Sequence, residues 1–195
     1  MAGGKRQLRL IGGTWGGRKL GFPALPDLRP TGDRTRETLF NWLLPVLPGS
    51  RCLDLFAGSG ALGLEAASRG ASQVVLLEQA APALRHLRDA VALLQADQVQ
   101  VVAGDALLFL SGPATPFDIV FLDPPFAGDL LSSAALRLEQ NGWLAPGARI
   151  YVEQARSEPA AVLPENWNLL RDKQAGQVRY ALYQRAAEPS PSVPT

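Results

Sequence analysis

The sequence predicts an α/β fold of Rossmann-like type, a mostly parallel sheet covered by helices on both faces, and three observations carry that prediction. From Arg51 onward, short apolar runs alternate with longer segments of helical periodicity. A glycine string follows the first of those runs directly, and an acidic residue stands at or near the end of each of the first four. Strand and helix in alternation call for right-handed crossovers and a parallel sheet, and glycines at a strand-to-helix turn let the backbone close on a ligand.

The elements follow in order. QLRLIGGTWGGRKLGF consists of two alternating runs around Gly12, Gly13, Gly16 and Gly17, the pattern of a glycine-turned β-hairpin. Pro23, Pro26 and Pro30 then break regular structure; Thr31 or Asp33 can cap a helix running through Leu44, with Leu39, Phe40 and Leu43 on one face and Pro45 and Pro48 beyond its end. CLDLF is a buried-strand run and ALGLEAASR its helix; QVVLLE is a second strand, followed by the helix PALRHLRDAVALLQA. VQVVAGD leads into a short helix through Leu110, and FDIVFLD, a proline turn and the helix DLLSSAALRLEQ come next. ARIYVEQ is a fifth strand, and residues 167–185 read as a closing hairpin that turns near Ala175 and Gly176. The expected organisation is a basic hairpin extension over 1–30, one domain over 31–185, and a proline- and serine-rich tail over 186–195 expected to be disordered.

Bulk properties narrow the classes. At 195 residues the chain accommodates one well-buried domain and an appendage, and 47% hydrophobic with 19% charged residues excludes a mainly disordered chain. The single cysteine, Cys52, permits no intramolecular disulfide and no cysteine-based metal site, which fits a reducing, cytoplasmic setting without a metal. No apolar run is long enough for a signal peptide or a membrane span. Net charge is only +1, but residues 1–38 hold eight basic residues against three acidic ones, giving +5 at the front. Such a patch suits phosphate binding, and it equally suits a solubilising terminus.

Gly58, Gly60 and Gly63 fit G-x-G-x-x-G between a predicted strand and a predicted helix, and Glu78 ends the next strand, placed to accept from ribose hydroxyls. These residues point to a nucleoside-containing cofactor, dinucleotide or sulfonium. The second constellation separates the two. Asp123-Pro124-Pro125-Phe126 follows the fourth strand at the carboxyl edge of the sheet, where open α/β folds gather ligands. An exocyclic amine on a base is a poor nucleophile, because its lone pair is delocalised into the ring. The Asp123 carboxylate and the Pro124 carbonyl can each accept one N–H and so aim that lone pair at a methyl donor. Proline rings stiffen the loop, and Phe126 can stack on the base, a contact worth about 1–3 kcal/mol. A nicotinamide oxidoreductase would share the glycine turn, but its chemistry gives the proline turn no task. The motif reports a planar amine and leaves open which base carries it.

Asp105 can accept from an adenine amino group or cap a helix. With it, Asp54, Glu78 and Asp123 form a row of carboxylates that resists burial unless each meets a donor or a positive sulfonium. His86, between Arg85 and Arg88, is expected to be exposed and without a catalytic role, Cys52 to be core, and Trp15 and Trp42 to pack against neighbours in preference to stacking on nucleotides.

GGTWGGRKL, LRPTGDRTRETLFNWL, CLDLFAGSGALGLEAASRG, IVFLDPPF and NGWLAPGARIYVE, in that order, resemble the bacterial ribosomal RNA small subunit methyltransferase D family from about Leu10 to Arg185. The resemblance implies a class I S-adenosylmethionine-dependent methyltransferase, with a seven-stranded sheet and an N-terminal hairpin. It implies N2 methylation of one guanine in 16S ribosomal RNA, within the small subunit or an assembly intermediate. It further implies that Phe56, Gly58, Gly60, Glu78, Asp105 and Ala106 line the cofactor, with Asp54, Ala57, Ser59 and Gln79 completing the set, and that Asp123 through Phe126 hold the guanine. Lys5, Arg6, Arg9, Arg18, Lys19 and Arg34 are the expected RNA contacts, and a monomer is expected. One departure stands out: where relatives often carry an aspartate two positions after the second-strand acid, this chain has Ala80.

Overall fold

Strand β3 (Arg51–Asp54) is central to the sheet in the computed structural model, which describes residues 6–22, 31–125 and 128–186. It pairs in parallel with β4 (Gln73–Glu78) on one side and with β6 (Phe117–Leu122) on the other. Beyond β4 lies β5 (Val99–Ala103), and beyond β6 lies β7 (Leu144–Ala155), both parallel to their neighbours. The antiparallel strands β8 (Trp167–Ala175) and β9 (Val178–Arg185) complete seven strands in the order β5-β4-β3-β6-β7-β9-β8. The chain winds outward from β3 through β4 to β5, then returns to the other side of β3 through β6. That reversal opens a crevice at the carboxyl ends of β3 and β6, where doubly wound sheets bind ligands.

Side chains alternate across the sheet and build two apolar layers. Cys52, Leu76, Ile119, Phe121 and Tyr151 face one layer with α2 (Ala61–Ser68) and α3 (Ala81–Leu94), where Leu64, Leu87 and Leu94 are buried. Leu53, Val75, Leu77, Val120 and Ile150 face the other layer, covered by α4 (Ala106–Phe109) and α5 (Gly128–Gln140) through Leu131, Ala135 and Leu138. The expected parallel, doubly covered sheet is thus present.

The N-terminal hairpin, β1 (Arg6–Arg9) with β2 (Lys19–Phe22), pairs Leu8 with Leu20 and Arg9 with Lys19. It shares the first apolar layer: Leu8, Leu10, Leu20 and Phe22 are buried with Leu39, Phe40 and Leu43 of α1 (Asp33–Leu43). Trp15 is buried in the hairpin turn and Trp42 packs 5.7 Å from Tyr180, so both tryptophans serve packing. Cys52 is core, and burial pushes its thiol up to about 12.

Two local expectations are corrected. Neither Thr31 nor Asp33 caps α1; Gly32 takes that position without a side-chain cap. The Thr31 hydroxyl is instead drawn to Asp123, and the Asp33 carboxylate to Arg36 at 2.6 Å. His86 is buried, with Nε2 3.2 Å from the Ser59 carbonyl and its ring 6.1 Å from Phe22, because its side of α3 faces the hairpin and the glycine turn. Pro23, Pro26, Pro30 and residues 187–195 of the expected tail lie outside the described residues.

Candidate active site

A cavity of about 920 Å³ opens at the carboxyl ends of β3, β4, β5 and β6. It is lined by Asp54, Phe56, Ala57, Gly58 and Ser59 from the first strand and its turn, by Glu78 and Gln79 after β4, by Asp105 and Ala106 after β5, and by Asp123, Pro124 and Pro125 after β6. Residues far apart in sequence meet here because each follows the end of a neighbouring parallel strand. Gly60 stands just behind the wall as the left-handed N-cap of α2 (φ +80°), a conformation that L side chains rarely adopt. Gly63 lets the helix approach the sheet: a Cβ there would lie 2.1 Å from Leu76 Cδ2. Phe126 and Lys5 lie outside the described residues.

The carboxylates in this row are held differently. Asp54 is buried, with Oδ2 accepting from the Gly63 N–H at 2.9 Å and Oδ1 without a hydrogen-bond partner. Burial, with Glu78 nearby, pushes its carboxyl up to about 7. Glu78 accepts from the Gly58 N–H at 2.8 Å on one oxygen, and from Gln79 and Ala80 N–H at 2.8 and 2.7 Å on the other. It therefore ties the glycine turn to the end of β4. Asp105 caps α4, with Oδ1 accepting from Leu107 and Leu108 at 2.9 and 3.0 Å. The capping reading holds while the residue still lines the cavity.

Asp123 is half-buried and accepts from the Thr31 hydroxyl at 3.2 Å. Burial raises its carboxyl well above the usual range, and Glu153 and Asp54 push in the same direction. Of the polar lining residues, Thr31, Glu153, Gln154 and Glu158 escaped the sequence reading as site residues. Glu153 lies beside Asp123 because the register pairs Leu122 with Val152, so the next residue of each strand shares the sheet edge. Its signal was an acid at the end of ARIYVEQ, hidden because the neighbouring strands already supplied four. Thr31 was legible only as a cap.

Of the expected basic contacts, Arg9, Arg18, Lys19 and Arg34 are exposed on the hairpin and the first turn of α1, and Arg6 begins β1. Arg36, counted in the front-end charge, is fully buried: it donates to the carbonyls of Arg9 (2.8 Å) and Thr31 (3.2 Å) and to Asp33 (2.6 Å), and lies 3.5 Å from Glu65. Glu65 is buried as well, accepting from Ile11 and Gly12 N–H at 2.8 and 2.9 Å and from Arg69 at 2.7 Å. This ionic knot joins hairpin, α1 and α2.

Residues 8–184 match the family model described as conserved hypothetical protein 95. The ribosomal RNA small subunit methyltransferase D of Escherichia coli is 52% identical over 185 residues, covering 95% of this chain and 93% of that one. The chain belongs to that family. A Haemophilus influenzae member is 47% identical over 92% of this chain and 95% of its own length. Among solved structures, the yhhF protein of Escherichia coli superposes with a TM-score of 0.88 at 50% identity, covering 94% of this chain and 100% of that one. Membership makes the chain a methyltransferase, with the cavity at the switch point as its candidate active site. Among the described residues no cluster suited to a metal ion occurs, and no helix is long and apolar enough to cross a membrane.

Proposed function

We propose that the chain uses S-adenosylmethionine to methylate the exocyclic N2 amino group of a guanine in 16S ribosomal RNA, within the small subunit or an assembly intermediate. The observation that carries this reading is the Asp123 carboxylate, which lines the same cavity as the glycine turn and follows the strand paired with it. A volume of about 920 Å³ reaches the upper part of the usual range of ligand sites, about 300–1,000 Å³, and suits a nucleoside cofactor and a base together.

The residues fit the cofactor. Asp54 Oδ1, buried in the wall without a partner, calls for a donor that an ammonium-bearing, cationic ligand brings. Gly58 and Gly60 hold positive φ and keep the turn bare, and Glu78 and Gln79 line the same wall with groups that would accept from ribose hydroxyls. When bound, S-adenosylmethionine supplies an electrophilic methyl group on a sulfonium. The chain contributes alignment. Asp123 and the Pro124 carbonyl accept the two amine N–H bonds and turn the nitrogen lone pair toward the methyl donor. The same carboxylate can take the proton that the amine sheds once substituted.

RNA recognition is assigned to Lys5, Arg6, Arg9, Arg18, Lys19 and Arg34. Arg9 faces Lys19 across the hairpin, and like charges directly opposite one another weaken a strand pair unless a polyanion relieves them. The relatives' names specify small-subunit ribosomal RNA, which supports the substrate class.

The test measures methyl transfer to small-subunit particles and to naked 16S RNA from a strain lacking the enzyme, followed by mass analysis of the nucleosides. N2-methylguanosine is expected; N6-methyladenosine or N4-methylcytidine would reassign the base. Asp123→Ala is expected to lose at least about 100-fold in transfer, the scale for removing a group that orients the nucleophile, with cofactor binding nearly intact. Unchanged turnover in that variant would refute the mechanism.

A further inference from the structure

Strand β8 forms one edge of the sheet, and its charges are sorted by face. Arg171 pairs across the ladder with Leu182, and Lys173 with Tyr180. Residues directly opposite one another share a face, and Leu182 and Tyr180 are buried in the layer that holds α1 and the hairpin. Arg171 and Lys173 are both exposed on that face. Asp172, between them, pairs with Ala181 and points to the other face, where its charge acts on Tyr183. The Lys173 ammonium lies 5.9 Å from the centre of the Trp42 ring, and Tyr180 holds that ring from 5.7 Å. The Arg171 guanidinium gives one N–H to the Leu170 carbonyl at 2.7 Å. Among the described residues neither Arg171, Lys173 nor Arg34 forms an ion pair.

Helix α1 lies between this strand and the hairpin. On one side Arg36 donates to the Arg9 carbonyl of β1, and on the other Trp42 reaches Tyr180 of β9. Arg34, Thr38 and Trp42 are spaced four apart and form one row along the helix. That row leads from Thr31, in the cavity wall, toward Lys173. The acids of α1 are Asp33, tied to Arg36, and Glu37, which stands outside the row. The end of β8 also reaches the cavity: Ala175 pairs with Val178, a lining residue, and Lys173 stands about 7 Å back along the strand. An RNA strand that delivers one base to a cavity runs away from it in two directions. The hairpin cations can meet only the segment on their own side of α1. Charge on an edge strand also protects it from pairing with another sheet, but charge of either sign on either face does that, and it gives no reason for both cations to share the hairpin's face.

We propose that Arg171 and Lys173, continuing the row begun by Arg34, form a second phosphate-binding track that holds the RNA backbone on the side of the target nucleotide away from the hairpin. Trp42 serves the track as the packed platform under Lys173. This inference rests on the proposed methylation of RNA and deepens it by adding a contact surface at the far edge of the sheet.

The experiment measures equilibrium binding of the full chain to small-subunit particles over a range of salt, for wild type and for a variant carrying Arg171→Gln and Lys173→Gln. Each phosphate contact contributes about 0.7 to 0.9 to the slope of log K against log salt. The double variant should therefore lose roughly 1.4 to 1.8 from that slope and bind roughly 10- to 50-fold more weakly at 0.1 M salt. Its melting temperature and its cofactor affinity, by calorimetry, should stay as in wild type, and in methyl transfer KM should rise with kcat kept. A third substitution, Asp172→Lys, added to the double variant restores the net charge on the opposite face of β8 and should not restore binding. Recovery of wild-type affinity there would mean that overall charge, and not this surface, attracts RNA, and it overturns the proposal. An unchanged slope and affinity in the double variant overturn it too, as does unchanged binding accompanied by self-association in light scattering, which would make the cations guards of an open sheet edge. Binding is read without methyl transfer. A wild type that binds the particle with the expected losses in the variant, yet transfers no methyl group, therefore sinks the proposed reaction and leaves the track standing; a wild type that transfers methyl while the variant binds equally well sinks the track alone.

Discussion

Replacing Asp54 with asparagine isolates the most costly carboxylate in the cavity wall. Its carboxyl stands at about 7 in the folded chain against an ordinary value of 3.8, chiefly through burial. Because the folded value is the higher one, the side chain adds stability that is full below 3.8 and is lost as the pH rises to about 7. That gap, at about 1.4 kcal/mol for each pH unit, corresponds to about 4 kcal/mol. Asparagine preserves the acceptor for the Gly63 N–H at 2.9 Å but brings an amide N–H into the place of the unpartnered Oδ1, at a cost of about 1–3 kcal/mol. Asp54→Asn should therefore be more stable than wild type at pH 8 by about 1–3 kcal/mol, and its advantage should shrink as the pH falls toward 4. Urea unfolding across pH measures this, and the difference between the two proteins cancels contributions from the other acids. Calorimetry of cofactor binding gives an independent reading: a cation beside Asp54 favours its anion, so binding to wild type should release a proton near pH 7 and binding to Asp54→Asn should not. Parallel stability curves for the two proteins between pH 4 and 7, with equal proton release, would refute the reasoning.

Glu65→Ala leaves the buried Arg36 without its Glu65 partner and two hairpin N–H groups without acceptors; breaking such a knot should cost about 3–5 kcal/mol, read by urea unfolding, with hydrogen exchange quickening first at Ile11 and Gly12. A loss below about 1 kcal/mol would mean the hairpin is held by its apolar side chains alone. Gly63→Ala places a Cβ 2.1 Å from Leu76 and 3.2 Å from an Asp54 oxygen, so a destabilisation of about 1–3 kcal/mol and weakened cofactor binding are expected by thermal melting and calorimetry. Reversing the charges of Arg9, Arg18 and Lys19 should lower the slope of log K for RNA against log salt by roughly 2 to 3, with cofactor affinity unchanged; an unaltered slope would remove the hairpin from the RNA interface.

The sheet was legible because a buried parallel strand must be apolar on both faces, and runs such as FDIVFL and QVVLLE admit few other readings. The site was legible to the same extent, since parallel strands bring their ends to one edge and an acid at such an end lies near the crevice. What stayed hidden depends on contacts between distant segments. Thr31 and Asp33 satisfy the local rule for helix caps, yet each finds a stronger partner, Asp123 or Arg36, that no window of sequence around residue 31 contains. Arg36 reads as one more surface cation until Glu65, 29 residues away, is seen beside it. His86 falls between two arginines and looks solvated, whereas the hairpin closes over it through Phe22.

These misreadings share a cause with physical consequences. The knot of Arg36 and Glu65 is the point at which the hairpin, which carries exposed cations, meets the loop that carries Thr31. One guanidinium donates to the carbonyl of Arg9 on β1 and to the carbonyl of Thr31 beside the cavity. A shift of the hairpin would therefore move the Thr31 backbone, and the hydroxyl on Asp123 would move with it. Buried ion pairs are poor sources of stability compared with packed apolar groups, but they fix geometry, because a displaced partner leaves a charge uncompensated. Here the fixed geometry relates the surface proposed to grip the RNA to the carboxylate proposed to grip its base. An apolar replacement of the whole knot would then be expected to cost less in stability than in the ratio of kcat to KM.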